Sequence, residues 1–192
     1  MRRAVLFGMV VAAACIFGTA LGLSQQSGST NFVGGPGGRE FSDPEPSAGA
    51  RVTEVRIRSS DAIDAVQMVY ALAVGSGFMG DQHGGSGGRL SVFSLDPDEY
   101  ITGISGRYGD TIDSLRIQTN KRASQLYGGS GGNRDYRLEV PRDTQAVGFV
   151  GRSGNLVDAI GLIYVPIQRR RGLFGQTIDA IGLTYTRIAF RR

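Results

Sequence analysis

The sequence has one cysteine, one histidine and no tryptophan among its 192 residues. Cys15 lies in an apolar N-terminal segment, so the rest of the chain has no disulfide, no thiol nucleophile and no cysteine ligand for a metal. His83 stands beside a glycine cluster with no cysteine nearby, and we interpret it as a solvated loop residue rather than a metal ligand. We therefore expect no metal site and no cofactor, and stability that comes from a hydrophobic core.

One long apolar run opens the sequence. Arg2 and Arg3 precede an apolar stretch that ends at Leu23, a pattern that predicts a signal peptide over residues 1–24 and a secreted protein. The mature chain would then have no stable insertion in a membrane. The alternatives are an uncleaved anchor, since about 20 apolar residues can span a bilayer, lipidation of Cys15, or a periplasmic location.

Basic charge is scarce in the central part of the chain. Residues 25–164 hold 13 basic and 16 acidic side chains, a net charge of −3, whereas residues 165–192 hold six arginines and one aspartate, a net charge of +5. A nucleic-acid-binding domain concentrates its arginines and lysines on the folded surface. Nucleic acid is therefore not an expected partner.

Glycine is abundant, with 30 residues, and it recurs in a pattern. A cluster of the form Gly-Gly-x-Gly-Gly occurs at residues 34–38, 84–88 and 128–132. A second motif, Gly/Ser-x-x-hydrophobic-Asp, follows the clusters and ends at Asp64, Asp113 and Asp158. The last glycine of each cluster precedes the next aspartate by 26, 25 and 26 residues. The chain therefore contains three similar units, and the shared register favours ligand-binding loops over simple turns.

Alternating apolar residues follow each aspartate. Val66, Met68 and Tyr70 alternate with their neighbours, and residues 114–118 and 159–164 repeat this pattern. A period of two predicts strands with one buried face. Similar stretches separated by Gly, Pro, Asn and Asp predict an all-β chain of about a dozen strands. A three-fold prism and a β-trefoil both fit three such units, and periodicity does not separate them.

Several segments resemble the jacalin-related lectin family. They are the glycine cluster at 34–38, the run Ala-Arg-Val-Thr-Glu-Val-Arg-Ile-Arg at 50–58, residues 97–101 with Gly106 and, above all, Val-Gly-Phe-Val-Gly-Arg-Ser-Gly-Asn-Leu-Val-Asp-Ala-Ile-Gly at 147–161. The likeness covers about residues 32–164. It implies a lectin domain over residues 34–164, after a polar linker at 25–33. The implied fold is an all-β β-prism of three four-stranded Greek-key sheets with pseudo-three-fold symmetry.

The resemblance also implies how sugar is bound. In the family the aspartate loop of one sheet faces the glycine cluster of another, and two loop amides together with the aspartate carboxylate hold the edge of a pyranose. The implied carbohydrate-binding residues of this chain are Asn155, Leu156 and Asp158 facing Gly38, then Asp61, Ala62 and Asp64 facing Gly88, and Asp110, Thr111 and Asp113 facing Gly132. The implied partners are mannose- or glucose-containing glycans.

These residue types suit a monosaccharide. A carboxylate can accept hydrogen bonds from two vicinal hydroxyls while amides donate to others, and glycine lets a backbone N–H approach the ring. The chain also departs from the family pattern. Ser60 replaces the loop glycine, which would weaken the Asp64 site if that position needs a positive φ, and Ala62, Thr111 and Leu156 stand where three-site members carry tyrosine.

The sequence also bears on two other function classes. Asp61 with Asp64, or Asp110 with Asp113, would be the carboxylate pair of a glycosidase, but each pair lies on one loop, three residues apart. Glycosidase pairs normally face each other across a cleft, so no enzymatic activity is expected. The alternative function is a structural or protein-interaction prism that has lost sugar binding.

Residues 165–192 form a basic C-terminal extension in which 175–185 nearly repeats 154–164. No glycine cluster precedes its Asp179, so a fourth sugar site is not expected. The strand pattern suggests an added edge hairpin, a duplicated segment with little order, or a swapped strand, which would make the protein a homodimer.

Overall fold

The computed structural model describes residues 26–72 and 75–168, and these residues form fourteen β-strands and no helix. The predicted signal peptide and most of the C-terminal extension lie outside the described residues. Within the described part, no helix is long and apolar enough to cross a membrane. In chain order the strands are β1 (Gly28–Ser29), β2 (Val33–Gly34), β3 (Arg39–Ser42), β4 (Arg51–Ser59), β5 (Ile63–Ala71), β6 (Gly77–Met79), β7 (His83–Gly84), β8 (Arg89–Ser94), β9 (Ile101–Tyr108), β10 (Ile112–Thr119), β11 (Tyr127–Gly128), β12 (Arg134–Glu139), β13 (Thr144–Ser153) and β14 (Val157–Pro166).

The strands form three antiparallel units, each built on a central hairpin. In the second unit β4 and β5 form the hairpin, β8 flanks β4, and β6 and β7 flank β5. In the third unit β9 and β10 form the hairpin, flanked by β12 and β11. The first unit joins both ends of the described chain, because β3 flanks β13 while β1 and β2 flank β14. The arrangement is a prism, since each unit is a separate sheet apart from one pairing of Ala146 with Ile101.

The sheets extend slightly beyond the predicted domain. Strand β1 lies within the predicted linker at 25–33 and pairs with β14 at Tyr164 and Ile163. Strand β14 continues to Pro166, and the Ile167 amide donates to the Asp143 carbonyl. The first unit is thus closed by residues on both sides of the 34–164 segment.

The hydrophobic core lies between the three sheets. The predicted alternation is confirmed at Val66, Met68 and Tyr70, all of which are buried, whereas Tyr164 is only partly buried. Each sheet has one apolar face and can bury it only against the other two, so the core draws on all three units. Its largest fully buried side chains are Val55, Ile57, Ile63, Met68, Ile101, Ile104, Ile112, Leu115, Ile117, Phe149, Ile160 and Leu162.

His83 is buried, so its interpretation as a solvated loop residue was wrong. It is only 9% exposed, its Nε2 lies 2.6 Å from Asp43 Oδ1, and its ring stacks on Phe41 with centroids 3.9 Å apart. The other carboxylate oxygen of Asp43 accepts the Phe149 amide at 2.8 Å. This buried pair links the second unit to the first. Asp43 is 40 residues from His83, and a local pattern does not reveal such a partner.

Candidate carbohydrate-binding site

The central hairpin of each unit ends in a three-residue loop. The loops are residues 60–62, 109–111 and 154–156. In each loop the amide of the first residue donates to the carbonyl of the third, at 3.0, 3.0 and 2.9 Å respectively. The three repeated motifs therefore share one local conformation.

The motif aspartate is a β-bulge residue in every unit. In the second unit Ser59 pairs with Ile63 and Arg58 with Ala65, which leaves Asp64 without a partner in the ladder. The pairing registers skip Asp113 and Asp158 in the same way. A bulge bends its strand and redirects a side chain. The carboxylates are thereby turned out of the normal alternation.

Each carboxylate faces the last two glycines of one cluster. A Cβ on Gly37 or Gly38 would come within 3.0 Å of an Asp158 carboxylate oxygen, so only glycine leaves room there. The same relation links Gly87 and Gly88 to Asp64, and Gly131 and Gly132 to Asp113. The final glycines have φ of 62°, 62° and 73°, a conformation that favours glycine.

The backbone of each aspartate is tied to the same cluster. Its carbonyl accepts the amide of the second cluster glycine, at 2.9 Å for Gly35 to Asp158, 3.0 Å for Gly85 to Asp64 and 3.0 Å for Gly129 to Asp113. The structure thus brings together the predicted partners Gly38 with Asp158, Gly88 with Asp64, and Gly132 with Asp113. One implied detail was wrong: each cluster belongs to the same sheet as its aspartate, because its strands pair with the same hairpin.

A neighbouring sheet contributes to each site in another way. A Cβ on Gly35 would come within 3.0 Å of the Asp110 carbonyl, which belongs to the loop of the third unit. A groove at this boundary is lined by Pro36, Asp110, Asn133 and Arg134, among others. The middle residue of each loop is exposed, and the third residue, which lies before the bulged strand, is partly buried. The exposed residues are Asp61, Asp110 and Asn155, and the partly buried ones are Ala62, Thr111 and Leu156.

The Asp64 site differs from the other two through Ser60. Neither Ser60 nor its equivalents Gly109 and Gly154 has a positive φ, so the serine causes no backbone strain. Its hydroxyl instead donates to Asp64 Oδ2 at 2.9 Å, and Asp64 is only 6% exposed. The serine hydroxyl therefore already occupies an acceptor position of this carboxylate.

The Asp113 carboxylate has the opposite character. Its Oδ2 is buried and has no hydrogen-bond partner among the described residues. Gly109 leaves space beside it, because a Cβ there would lie 3.7 Å from Oδ2. A Cβ on Gly154 would likewise lie 3.8 Å from Asp158 Oδ2. These two sites therefore keep their carboxylates free of a serine hydroxyl.

The motif Gly/Ser-x-x-hydrophobic-Asp omits one residue that contacts each cluster. An arginine stands two positions before each loop, at Arg58, Arg107 and Arg152, and each donates to cluster carbonyls. The signal was present in the sequence as Arg-x-Gly/Ser-x-x-hydrophobic-Asp. In the described part of the chain, no group of three His, Cys, Asp or Glu residues could hold a metal ion.

Three antiparallel sheets around one core, each with a bulged aspartate against a glycine cluster, define a β-prism protein. The chain belongs to the jacalin-like lectin family, because the model of the jacalin-like lectin domain matches residues 30–163. It is similar to horcolin of Hordeum vulgare, with 34% identity over 143 residues that cover 69% of this chain and 93% of horcolin.

Solved structures agree with this assignment. A mannose-binding jacalin-related lectin of Ananas comosus has 31% identity and a TM-score of 0.62, over 73% of this chain and 98% of that one. The complex of artocarpin with mannotriose has 28% identity and a TM-score of 0.64, over 73% and 99% of the two chains. The predicted β-prism is thereby confirmed. The protein is a lectin, so its partners are glycans and it is not an enzyme.

Proposed function

We propose that this lectin is secreted and recognises mannose- or glucose-type glycans through three sites, one on each unit of the prism. The observation that carries the proposal is the geometry repeated in all three units, in which a bulged aspartate carboxylate faces the last two glycines of its cluster. A carboxylate can accept hydrogen bonds from vicinal sugar hydroxyls, and the loop amides can donate to neighbouring hydroxyls.

Preference for mannose or glucose over galactose rests on the chain before Gly38. In the galactose-binding branch of the family, a proteolytic cut frees an amino terminus at the sugar-contacting glycine. Here β1 and β2 precede Gly38 and pair with β14, so the Gly38 nitrogen is an ordinary amide. The Ananas lectin described above is mannose-binding, which favours the same specificity for this chain.

The three sites are proposed to differ in strength, in the order Asp158, Asp113 and Asp64. The last is weakest because the Ser60 hydroxyl already occupies Asp64 Oδ2. Each net hydrogen bond contributes about 0.5–1.5 kcal/mol, so a shallow site should bind free sugar at roughly millimolar strength. The apparent affinity for a surface with many glycans would rise by a factor of about 10²–10⁴ if several sites engage together.

The test is a titration of the protein with methyl mannoside, in which NMR monitors the loop amides of residues 61–62, 110–111 and 155–156. Asp158→Ala, Asp113→Ala and Asp64→Ala should each abolish the response of one loop and leave the other two. Asp96→Ala is a matched control, because the Asp96 carboxylate is exposed and forms a surface pair with Lys121 at 3.5 Å.

Other outcomes would contradict parts of the proposal. Shifts with galactoside but not mannoside would overturn the specificity, and a single responsive loop would reduce the protein to a one-site lectin. If no sugar shifts any loop, the prism has become a structural or protein-interaction module. Secretion is tested separately by mass spectrometry of the exported protein, whose chain should begin near Leu23 or Gln25.

A further inference from the structure

We infer that Arg58, Arg107 and Arg152 are positioning residues that hold the glycine cluster of each site in its sugar-binding conformation. The inference rests on the proposed function of the clusters. Each arginine precedes the first residue of its loop by two positions, at Ser60, Gly109 and Gly154. The same residue type at the same register in three units indicates a role in the repeated site.

Arg152 has the most complete set of contacts. Its Nε donates to the Gly37 carbonyl at 2.8 Å and its Nη2 to the Gly38 carbonyl at 3.0 Å. Its Nη1 lies 2.8 Å from Glu40 Oε1, so the carboxylate fixes the far side of the guanidinium. The planar fork of arginine thus spans two successive carbonyls of one glycine cluster.

The other two arginines make related contacts. Nη1 of Arg58 donates to the carbonyls of Ser86, Gly87 and Gly88, at 3.1, 3.4 and 3.4 Å. Nη2 of Arg107 donates to the Gly132 carbonyl at 2.7 Å, and its Nε lies 3.9 Å from Asp135. All three therefore contact the end of the cluster that faces the bulged aspartate.

Peptide planarity connects these carbonyls to the sugar site. The carbonyl of one residue and the N–H of the next lie in one rigid plane and point in opposite directions within it. An arginine that fixes the Gly37 carbonyl consequently fixes the direction of the Gly38 N–H at the opposite edge of that plane. Gly87 and the Gly88 N–H have the same relation to Arg58.

The clusters need such a restraint because they are rich in glycine. Glycine loses more conformational freedom than any other residue when it becomes ordered, and a binding loop that must be ordered by its ligand has lower affinity. A bound guanidinium removes part of that cost before sugar arrives. Lysine cannot replace it fully, because its ammonium is a point charge without a fixed fork.

The decisive variants are Arg152→Gln and Arg152→Lys, with Arg116→Gln as a matched control on the exposed face of β10. Two properties are measured by NMR: the ¹⁵N order parameters of the Gly37 and Gly38 amides without sugar, and the methyl mannoside affinity reported by residues 155–156. Circular dichroism and thermal unfolding confirm that each variant folds.

Arg152→Gln should lower both order parameters and weaken the Asp158 site about tenfold, as expected for loss of charge-assisted hydrogen bonds. The order parameters and the affinity of Arg152→Lys should lie between those of Arg152→Gln and the wild type. Methyl mannoside binding at the other two loops should not change. Unchanged order parameters and affinity in Arg152→Gln would overturn the inference. If the wild-type protein binds no sugar, the proposed function fails, while the order parameters still decide whether the arginine restrains the cluster.

Discussion

Gly35 and Asp110 belong to different sheets, yet a Cβ on Gly35 would come within 3.0 Å of the Asp110 carbonyl oxygen. This contact recurs around the prism, since Gly129 meets Asp61 and Gly85 meets Asn155 in the same way. Each glycine cluster is therefore held between its own aspartate and the loop of a neighbouring unit. The three candidate sites form a closed ring, and the packing of each one depends on the next.

Gly35→Ala should disturb two sites at once. The added methyl would meet rigid backbone at Asp110, and such overpacking costs about 1–3 kcal/mol. We expect weaker methyl mannoside binding at both the Asp158 and the Asp113 loops, together with a lower free energy of unfolding. The 61–62 loop of the second unit is the internal control, because the nearest neighbours of a Cβ on Gly35 all belong to Asp110. Equal weakening at all three loops, or no change at the Asp113 loop, would argue against coupling around the ring.

Ser60→Gly should strengthen the weakest site. Removing the hydroxyl that donates to Asp64 Oδ2 frees this acceptor for a sugar hydroxyl, which is expected to raise affinity at the 61–62 loop by up to about tenfold. The free protein should lose about 1 kcal/mol of stability, because the buried carboxylate loses its hydrogen bond. NMR titration and denaturant unfolding measure the two effects. Unchanged affinity at that loop would show that Ser60 does not compete with the ligand.

Glu99 should make the stability of the prism sensitive to acid. Burial alone would raise the pKa of Glu99, but hydrogen bonds from Arg122, the Asp96 amide and Thr119 lower it from 4.5 to about 2. Since the folded-state pKa is depressed, this stabilisation is present above about pH 4.5 and is lost as the pH falls toward 2. Arg122 is half exposed, so water screens the pair and we expect about 1–2 kcal/mol.

Unfolding of Glu99→Gln and wild type between pH 7 and pH 2 measures this contribution. The variant should be less stable at pH 7, and the difference should shrink as the pH falls below about 4.5. Glu139→Gln is the control, because the Glu139 side chain is 58% exposed and its pair with Arg137 lies on the surface. A pH-independent difference would mean that Glu99 acts through packing rather than charge.

Asp43→Ala should destabilise the fold through the contact between the first and second units. It leaves His83 Nε2 and the Phe149 amide without their buried partner, at an expected cost of about 3 kcal/mol. Asp43→Asn should cost less, because its amide oxygen can still accept from Phe149. Denaturant unfolding compares both with Asp81→Ala, a change at an exposed aspartate. A loss in Asp43→Ala no larger than in Asp81→Ala would show that the pair contributes little.

The sequence by itself determined the repeated parts of this protein. Three glycine clusters and three aspartate motifs in register predicted three units, and period-two alternation around Val66 and Leu115 predicted strands with one buried face. Family resemblance added the partners, such as Gly38 with Asp158. These features depend on spacing along the chain, and the same spacing produces the same hairpin loop each time.

Only the tertiary structure decided how the units meet. The bulge that redirects Asp64, the ring contact of Gly35 with Asp110 and the burial of His83 against Asp43 all depend on neighbouring strands or distant segments. The first site itself requires β2 and β3 to pair with β14 and β13, so it forms only when both ends of the described chain come together. Such contacts arise from burying three apolar sheet faces against one another, and no local sequence pattern encodes that packing.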